Sequence, residues 1–193
     1  MPTSTLKRAV RDRPLPLRVF PAAKPETRPA PQPVKDSPSL SYQWERFGLI
    51  VREFPPLFKQ HWAEIALNQD KVPLDPHWDR YFDFDIADIL NVLTVRHNGV
   101  LVGYLFVLIF PHLHYASTTW AQTDMFWLHP AYRQGRAGIR MFVEMEKHLK
   151  SRQVKVVHVV LKLHFEKERG TLAKLFTRLG YKPVETVMAK YIG

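Results

Sequence analysis

Apolar and polar positions along the chain change period several times, and each change marks an element. From Asn91 to His97 and from Val100 to Phe110 the residues are mostly β-branched, aliphatic or aromatic, which predicts two strands. Between them lies Asn98-Gly99, a dipeptide suited to a two-residue hairpin turn because both positions tolerate positive φ. Leu57, Phe58, Trp62, Ile65 and Ala66 recur at helical spacing, so Leu57 to Leu67 reads as a helix. Pro55-Pro56 fits its start, where a missing N–H costs nothing. A second helix is expected after Asp75-Pro76, running to about Leu90, and Tyr42 opens an N-terminal strand or extended piece.

The second half is punctuated more sharply. An apolar strand, Met125 to Leu128, meets a proline turn and then a loop holding Arg133, Gly135 and Gly138. An amphipathic helix from Ile139 to Lys150 follows at once. Val154 to Leu163 reads as another strand and Thr171 to Leu179 as a short helix. Gly180 suits the left-handed position after that helix, and Tyr181 to Pro183 lead into an expected last strand, Val184 to Ile192.

The strand, glycine loop and helix start carry the chemistry. The first N–H groups of a helix have no intrahelical partner, and the macrodipole adds roughly half a positive charge there. Glycines let such a backbone approach a phosphate closely. This element order, with its Arg/Gly loop and closing Leu179-Gly180-Tyr181, resembles the GCN5-related N-acetyltransferases (GNAT) from about Leu101 to Ile192. That family binds acetyl-CoA through a loop written [Q/R]-x-x-G-x-[G/A]. Here the leading residue is Arg133 and the closing glycine Gly138. Arg136 stands where the middle glycine would be, and Gly135 lies one place earlier.

The resemblance implies an α/β fold, a mixed, strongly twisted sheet of about six to seven strands flanked by helices. It implies acetyl-CoA as cosubstrate, held by Phe126, Trp127, Leu128, Arg133, Gln134, Gly135, Arg136, Ala137 and Gly138. The reaction implied is acetyl transfer to an amine: a protein lysine, a protein N-terminus or a polyamine. Setting Leu128-His129-Pro130-Ala131-Tyr132-Arg133 on the family's V-x-P-x-Y-R puts Asp124 where polyamine-type members often carry a glutamate. Asp124 is then the expected general base, reaching the amine through a water because its side chain is one methylene shorter. The family's N-x-x-A-x-x-L-Y-x-x-x-G-[F/Y] ends on Gly180-Tyr181 and puts Phe176 where a tyrosine commonly protonates the departing thiolate. Phenylalanine has no proton to give, so water, Tyr181 or another hydroxyl must supply it. Phe176 and Arg136 therefore keep a second reading open, a catalytically weak GNAT-fold binding or virion-associated protein.

Acceptor-side expectations fall on two segments. Asp75, Asp79 and Asp83 recur every four residues, a spacing that shares one helix face, with Asp85 and Asp88 elsewhere on the helix surface. In the family this helix helps wall the acceptor cleft, so Asp75 and Asp79 would favour a cationic amine there. His112 and His114 form an H-x-H in the segment joining two strands. Neighbouring ligands and cysteine are absent, so no metal is expected, and both histidines are candidates to line the cleft.

Composition adds a tail. Residues 1–41 hold nine of the sixteen prolines and eight Lys or Arg against three acidic residues, half of the net charge of +10. Such a segment cannot offset its chain entropy by burial, so the expected organisation is a disordered basic tail, 1–41, before one domain, 42–193. The tail offers an electrostatic arm for nucleic acid or an acidic partner. The longest apolar stretch, Val100 to Pro111, is too short to span a bilayer, and no signal peptide is visible, so a cytoplasmic protein without a membrane partner is expected. Compact members with an R-x-G-R-x-G loop and an H-x-H-Y hairpin look similar to those of tailed bacteriophages.

Overall fold

The computed structural model describes residues 39–162 and 166–192. Five strands form one sheet in the order β1-β2-β3-β4-β5. They are β1 (Leu40–Glu45), β2 (Leu90–His97), β3 (Val100–His112), β4 (Tyr115–Leu128) and β5 (Val156–His158). The first four pair antiparallel and β5 joins β4 in parallel, so the sheet is mixed. Helices α1 (Phe47–Ile50), α2 (Phe54–Ile65) and α3 (Trp78–Ile86) lie between β1 and β2 in the chain. Helix α4 (Ala137–Ser151) connects β4 to β5, and α5 (Glu166–Arg178) follows.

Two hydrophobic cores, one on each face, explain why β2 and β3 read as unbroken apolar runs. Leu93, Val95, Leu105 and Val107 pack with Met141, Phe142 and Met145 of α4. On the other face Val92, Tyr104 and Phe106 pack with Phe47, Phe54 and Phe58 of α1 and α2. Phe106 is the hub of that aromatic layer, with Phe54 edge-on at 5.1 Å, Tyr104 at 5.5 Å and Tyr81 at 5.8 Å between centroids. Strands covered on both faces lose the alternation that marks a half-exposed strand.

Local signals hold where backbone geometry fixes them. Asn98 (φ +50°) and Gly99 (φ +80°) make the β2–β3 turn, Gly180 takes φ +92° after α5, and Pro55-Pro56 occupy the first turn of α2. Gly103 is required for a different reason. A Cβ there would lie 2.9 Å from the Trp127 carbonyl oxygen and 2.7 Å from Leu128 Cδ1, so β3 and β4 approach this closely only without a side chain.

Several boundaries move. The expected division after residue 41 falls inside β1, where Leu40 and Ser41 pair with His97 and Arg96 of β2. Strand β4 begins ten residues earlier than expected, at Tyr115 rather than Met125, through polar residues whose pairing with β3 is worth more than their propensity. The strand expected over Val154 to Leu163 contracts to three residues, and its last position lies outside the described residues. Val184 to Ile192 is not a strand: it follows Pro183 and has no ladder partner, and Val184, Val187, Met188 and Ile192 stay exposed. Strand propensity without a paired edge does not make a strand. The sheet thus has five strands instead of six or seven.

Asp85 is the clearest misplacement of a side chain. It is not on the helix surface but 5% exposed, accepting from the N–H groups of Phe47 and Gly48 at 3.2 Å each and pairing with Arg46. A carboxylate that satisfies the unpartnered N–H groups of α1 is held inside by them. Asp85→Ala leaves those donors buried without a partner and should cost about 2–4 kcal/mol, read as a lowered urea midpoint. A chain starting at Ser39 should melt within a degree or two of the full chain, whereas one starting at Arg46 loses β1 and should not fold cooperatively; calorimetry of both checks this.

Candidate active site

The site grows from the free side of β4. Its parallel ladder with β5 joins Trp120, Ala121 and Gln122 to Val156, Val157 and His158 and then stops. At the next step the Val160 N–H donates to the Thr123 hydroxyl at 2.9 Å instead of to a backbone carbonyl. On its other side β4 continues paired with β3 as far as Leu128, and the His129 N–H donates to the Val102 carbonyl. The alternation of an antiparallel ladder therefore turns the N–H and C=O groups of Phe126 and Leu128 away from β3, toward the side that β5 has left.

One extra residue sits where the strands part. Met125 pairs with Phe106 and Thr123 with Val107, so Asp124 has no partner on β3 and forms a bulge. The bulge reverses which face each side chain takes. Ala121 faces the α4 core and so do Phe126 and Leu128, while Met125 and Trp127 face the aromatic layer. An unbroken alternation would put Ala121 and Met125 on one face.

Beyond Leu128 the chain enters the glycine loop. Tyr132 is buried with its hydroxyl against His97 Nδ1 at 2.9 Å, which fixes the loop to the sheet. Gly135 takes the left-handed turn at φ +73° and Arg136 stands at the N-cap of α4, without a side-chain cap. The first helical bond runs from the Arg140 N–H to the Arg136 carbonyl, which leaves the N–H groups of Ala137, Gly138 and Ile139 without helical acceptors. A Cβ on Gly138 would meet nothing within 4 Å, so the backbone there is open to a ligand. An open pocket of about 400 Å3 lies at this point, lined by Arg133, Gly135, Gly138, Ile139, Lys174, Leu175 and Arg178. Free N–H groups, an exposed glycine and cations from two elements fit a phosphate-bearing ligand. Arg133 is partly committed elsewhere: its Nε donates to the Leu128 carbonyl at 2.8 Å and its Nη2 to Glu64 of α2 at 2.6 Å.

Across the sheet, Asp124 meets α3. The Tyr81 hydroxyl donates to Asp124 Oδ2 at 3.5 Å, a long bond. The carboxylate has surface in contact with solvent, but the surrounding walls displace enough water to raise its pKa, against the opposing effects of Tyr81 and the nearby Lys162. The Tyr81 phenol is raised in turn, by burial first and then by the Asp124 charge. Deeper in the same face His61 Nδ1 and the Tyr104 hydroxyl pair at 2.8 Å, and burial lowers the His61 pKa to about 4, so it is neutral at pH 7.

The acidic and histidine expectations do not converge on this centre. Asp75 precedes α3, so four-residue spacing does not put it on the helix, and Asp79 is exposed opposite the inward face of Trp78, Tyr81, Phe82 and Asp85. His112 and His114 lie at the tip of the β3–β4 hairpin, at the opposite end of β4 from Leu128. There the His114 N–H donates to His112 Nδ1, and His112 packs on Trp120 at 4.1 Å. Among the described residues no group of three His, Asp or Glu is arranged to hold a metal ion.

Phe176 is 4% exposed and packs edge-on against Phe142 at 4.7 Å. Tyr181 does not turn toward β4, since its hydroxyl donates to Glu146 of α4 at 3.0 Å. Tyr81, Lys162, Lys174, Arg178 and Glu64 were not signalled by any motif. A partial signal existed for three of them: Tyr81 continues the inward face of α3, and Lys174 and Arg178 recur at four-residue spacing on α5.

Solved structures share this fold. The fold is similar to a ribosomal-protein-alanine N-acetyltransferase from Brucella melitensis biovar Abortus 2308, at 15% identity and TM-score 0.59, over 80% of this chain and 100% of that one. It is similar to an aminoglycoside acetyltransferase from an uncultured soil metagenomic sample, at 13% identity and TM-score 0.63, over 80% and 99% of the two chains. A predicted acetyltransferase with acetyl-CoA from Clostridium acetobutylicum matches at 12% identity and TM-score 0.55, over 79% and 96%. Among curated proteins no sequence matches this chain. At these identities the structures speak for the fold alone, but the sequence model of the acetyltransferase (GNAT) family matches residues 54–181. The chain belongs to the acetyltransferase (GNAT) family.

Proposed function

We propose that the chain transfers an acetyl group from acetyl-CoA to an amine, with Asp124 as general base. The observation that carries this reading is the parting of β4 from β5 at Thr123, with a carboxylate bulged out at the same step. Phe126 and Leu128 offer backbone groups to the amides of the pantetheine arm. The N–H groups at the start of α4 take the pyrophosphate, and Arg136, Lys174 and Arg178 supply cations for the remaining phosphate. Acetyl-CoA contributes a thioester whose carbonyl accepts a nucleophile. A backbone N–H of β4 stabilises the oxyanion.

An alkyl ammonium near pKa 10.4 must lose a proton before it attacks, about 4–5 kcal/mol at pH 7 at roughly 1.36 kcal/mol per unit. Asp124 accepts that proton, directly or through a water. Its raised pKa, caused first by burial, makes it a better base than an ordinary aspartate. The acceptor is a protein lysine, a protein N-terminus or a polyamine. The basic residues 1–41 fit a nucleic acid or an acidic partner, a cytoplasmic setting suits the use of acetyl-CoA, and the loop and hairpin motifs favour a bacteriophage origin. A binding protein without turnover is the second reading, favoured by Phe176 in the core where a phenol is expected.

Gly138→Glu places a carboxylate in the open space at the start of α4 and should weaken acetyl-CoA binding at least tenfold by calorimetry. Unchanged affinity would remove the phosphate loop from the proposal. Asp124→Asn should keep acetyl-CoA binding and lower turnover by about 10²–10⁴-fold. Only ionised Asp124 accepts a proton, so the wild-type rate should rise with pH through its raised pKa. In the Asn variant that step should be missing, leaving the rise due to the acceptor's own deprotonation. CoA release with a panel of polyamines, lysine peptides and N-terminal peptides reads both, and full turnover by Asp124→Asn would overturn the assignment of the base.

A further inference from the structure

Acetyl transfer ends with a thiolate that needs a proton, and Phe176 cannot give one. Six of the seven tyrosines are committed elsewhere or lie away from the parting of β4 and β5. Tyr42 donates to the Ala137 carbonyl and Tyr181 to Glu146, while Tyr104 pairs with His61 and Tyr132 with His97. Tyr115 stacks on Trp120 at the hairpin tip, and Tyr191 lies under Lys71. The seventh, Tyr81, directs its hydroxyl to Asp124, the residue at the parting itself. Its ring is fixed on several sides, by Phe47 at 5.3 Å, Phe106 at 5.8 Å and Trp78 at 6.2 Å.

We propose that Tyr81 is the acid that protonates the departing thiolate, and that Asp124 returns the proton to Tyr81 in the same event. The inference rests on the reading of Asp124 as base. The ammonium gives one proton to Asp124, and the free amine attacks the thioester carbonyl carbon, whose π electrons move to oxygen. The nitrogen sheds its second proton to solvent. As the carbonyl re-forms, the C–S bond breaks and its electron pair stays on sulphur. Tyr81 transfers its hydroxyl proton to that sulphur, and the carboxyl proton of Asp124 passes to the Tyr81 oxygen. The products are an amide, a thiol, an intact phenol and a carboxylate, with one proton released.

The relay answers a thermodynamic objection to a lone phenol. A phenol near pKa 10 giving its proton to a thiolate near 8.5 moves uphill and leaves a phenolate beside a carboxylate. With Asp124 behind it, the net donor is a carboxylic acid, a stronger acid than the thiol, and no phenolate persists. Lys162, the cation whose charge acts on Asp124, is the competing donor.

The test begins without substrate. In ligand-free protein the carboxyl 13C resonance of Asp124 should titrate at higher pH in Tyr81→Phe than in wild type, because the hydroxyl favours the ionised carboxylate. An unmoved midpoint would overturn the contact. Tyr81→Phe keeps the ring and should melt as wild type does. With acetyl-CoA and spermidine, a lysine peptide, an N-terminal alanine peptide or an aminoglycoside, its kcat should fall by about 10²-fold at unchanged acetyl-CoA KM. 3,5-Difluorotyrosine at position 81 restores the hydroxyl and should restore kcat. Wild-type kcat in Tyr81→Phe alongside a large loss in Asp124→Asn would overturn the relay and leave the base standing, and a loss confined to Lys162→Met would assign the acid to lysine. No CoA release by wild type with any acceptor would overturn the relay and the transferase reading together.

Discussion

Strand β4 carries one residue more than β3 can match, and the site follows from where that residue falls. Had the ladder continued without Asp124 bulged, Phe126 and Leu128 would exchange faces with Met125 and Trp127. The two cores would then each hold the other's side chains. The bulge keeps both cores filled and leaves one carboxylate outside the pairing, at the step where β5 stops following β4. A strand that must twist away from its neighbour is where an extra residue costs least. Gly103 supports the same geometry from β3, since only a residue without Cβ lets the end of β4 lie so close.

The sequence was most legible where the backbone has few choices. Asn98-Gly99 and Gly180 stand at positive φ, which most residues adopt poorly, and Pro55-Pro56 where a missing N–H costs nothing, and all three are found as expected. The unbroken apolar runs of β2 and β3 likewise name strands buried on both faces. Long-range pairing was legible only in part. The polar half of β4 is a strand because β3 runs beside it, whereas Val184 to Ile192 has the composition of a strand and no partner.

The same distinction holds within the site. Arg133 to Gly138 could be proposed as a phosphate loop from sequence because what such a loop needs, glycines and a helix start, is local. Tyr81 could not be assigned from spacing, since it meets Asp124 across 43 positions of chain. Asp79 and Asp85 show the limit of charge patterning: one helix sends the first to solvent and the second inward to hold α1. Which aspartate is buried depends on where α1 lies, and no periodicity records that.

Arg133 joins parts of the molecule that the chain keeps far apart. Its guanidinium holds the last carbonyl of β4 with one nitrogen and Glu64 of α2 with another. The fork is rigid and planar, so the two contacts share one orientation. A shift of α2 therefore turns the guanidinium, and a turn of the guanidinium releases or tightens the Leu128 carbonyl. Helix α2 and the glycine loop are in this sense one mechanical part. Were a ligand at α2 to change affinity at the glycine loop, a ligand at the loop would by reciprocity change affinity at α2 by the same factor.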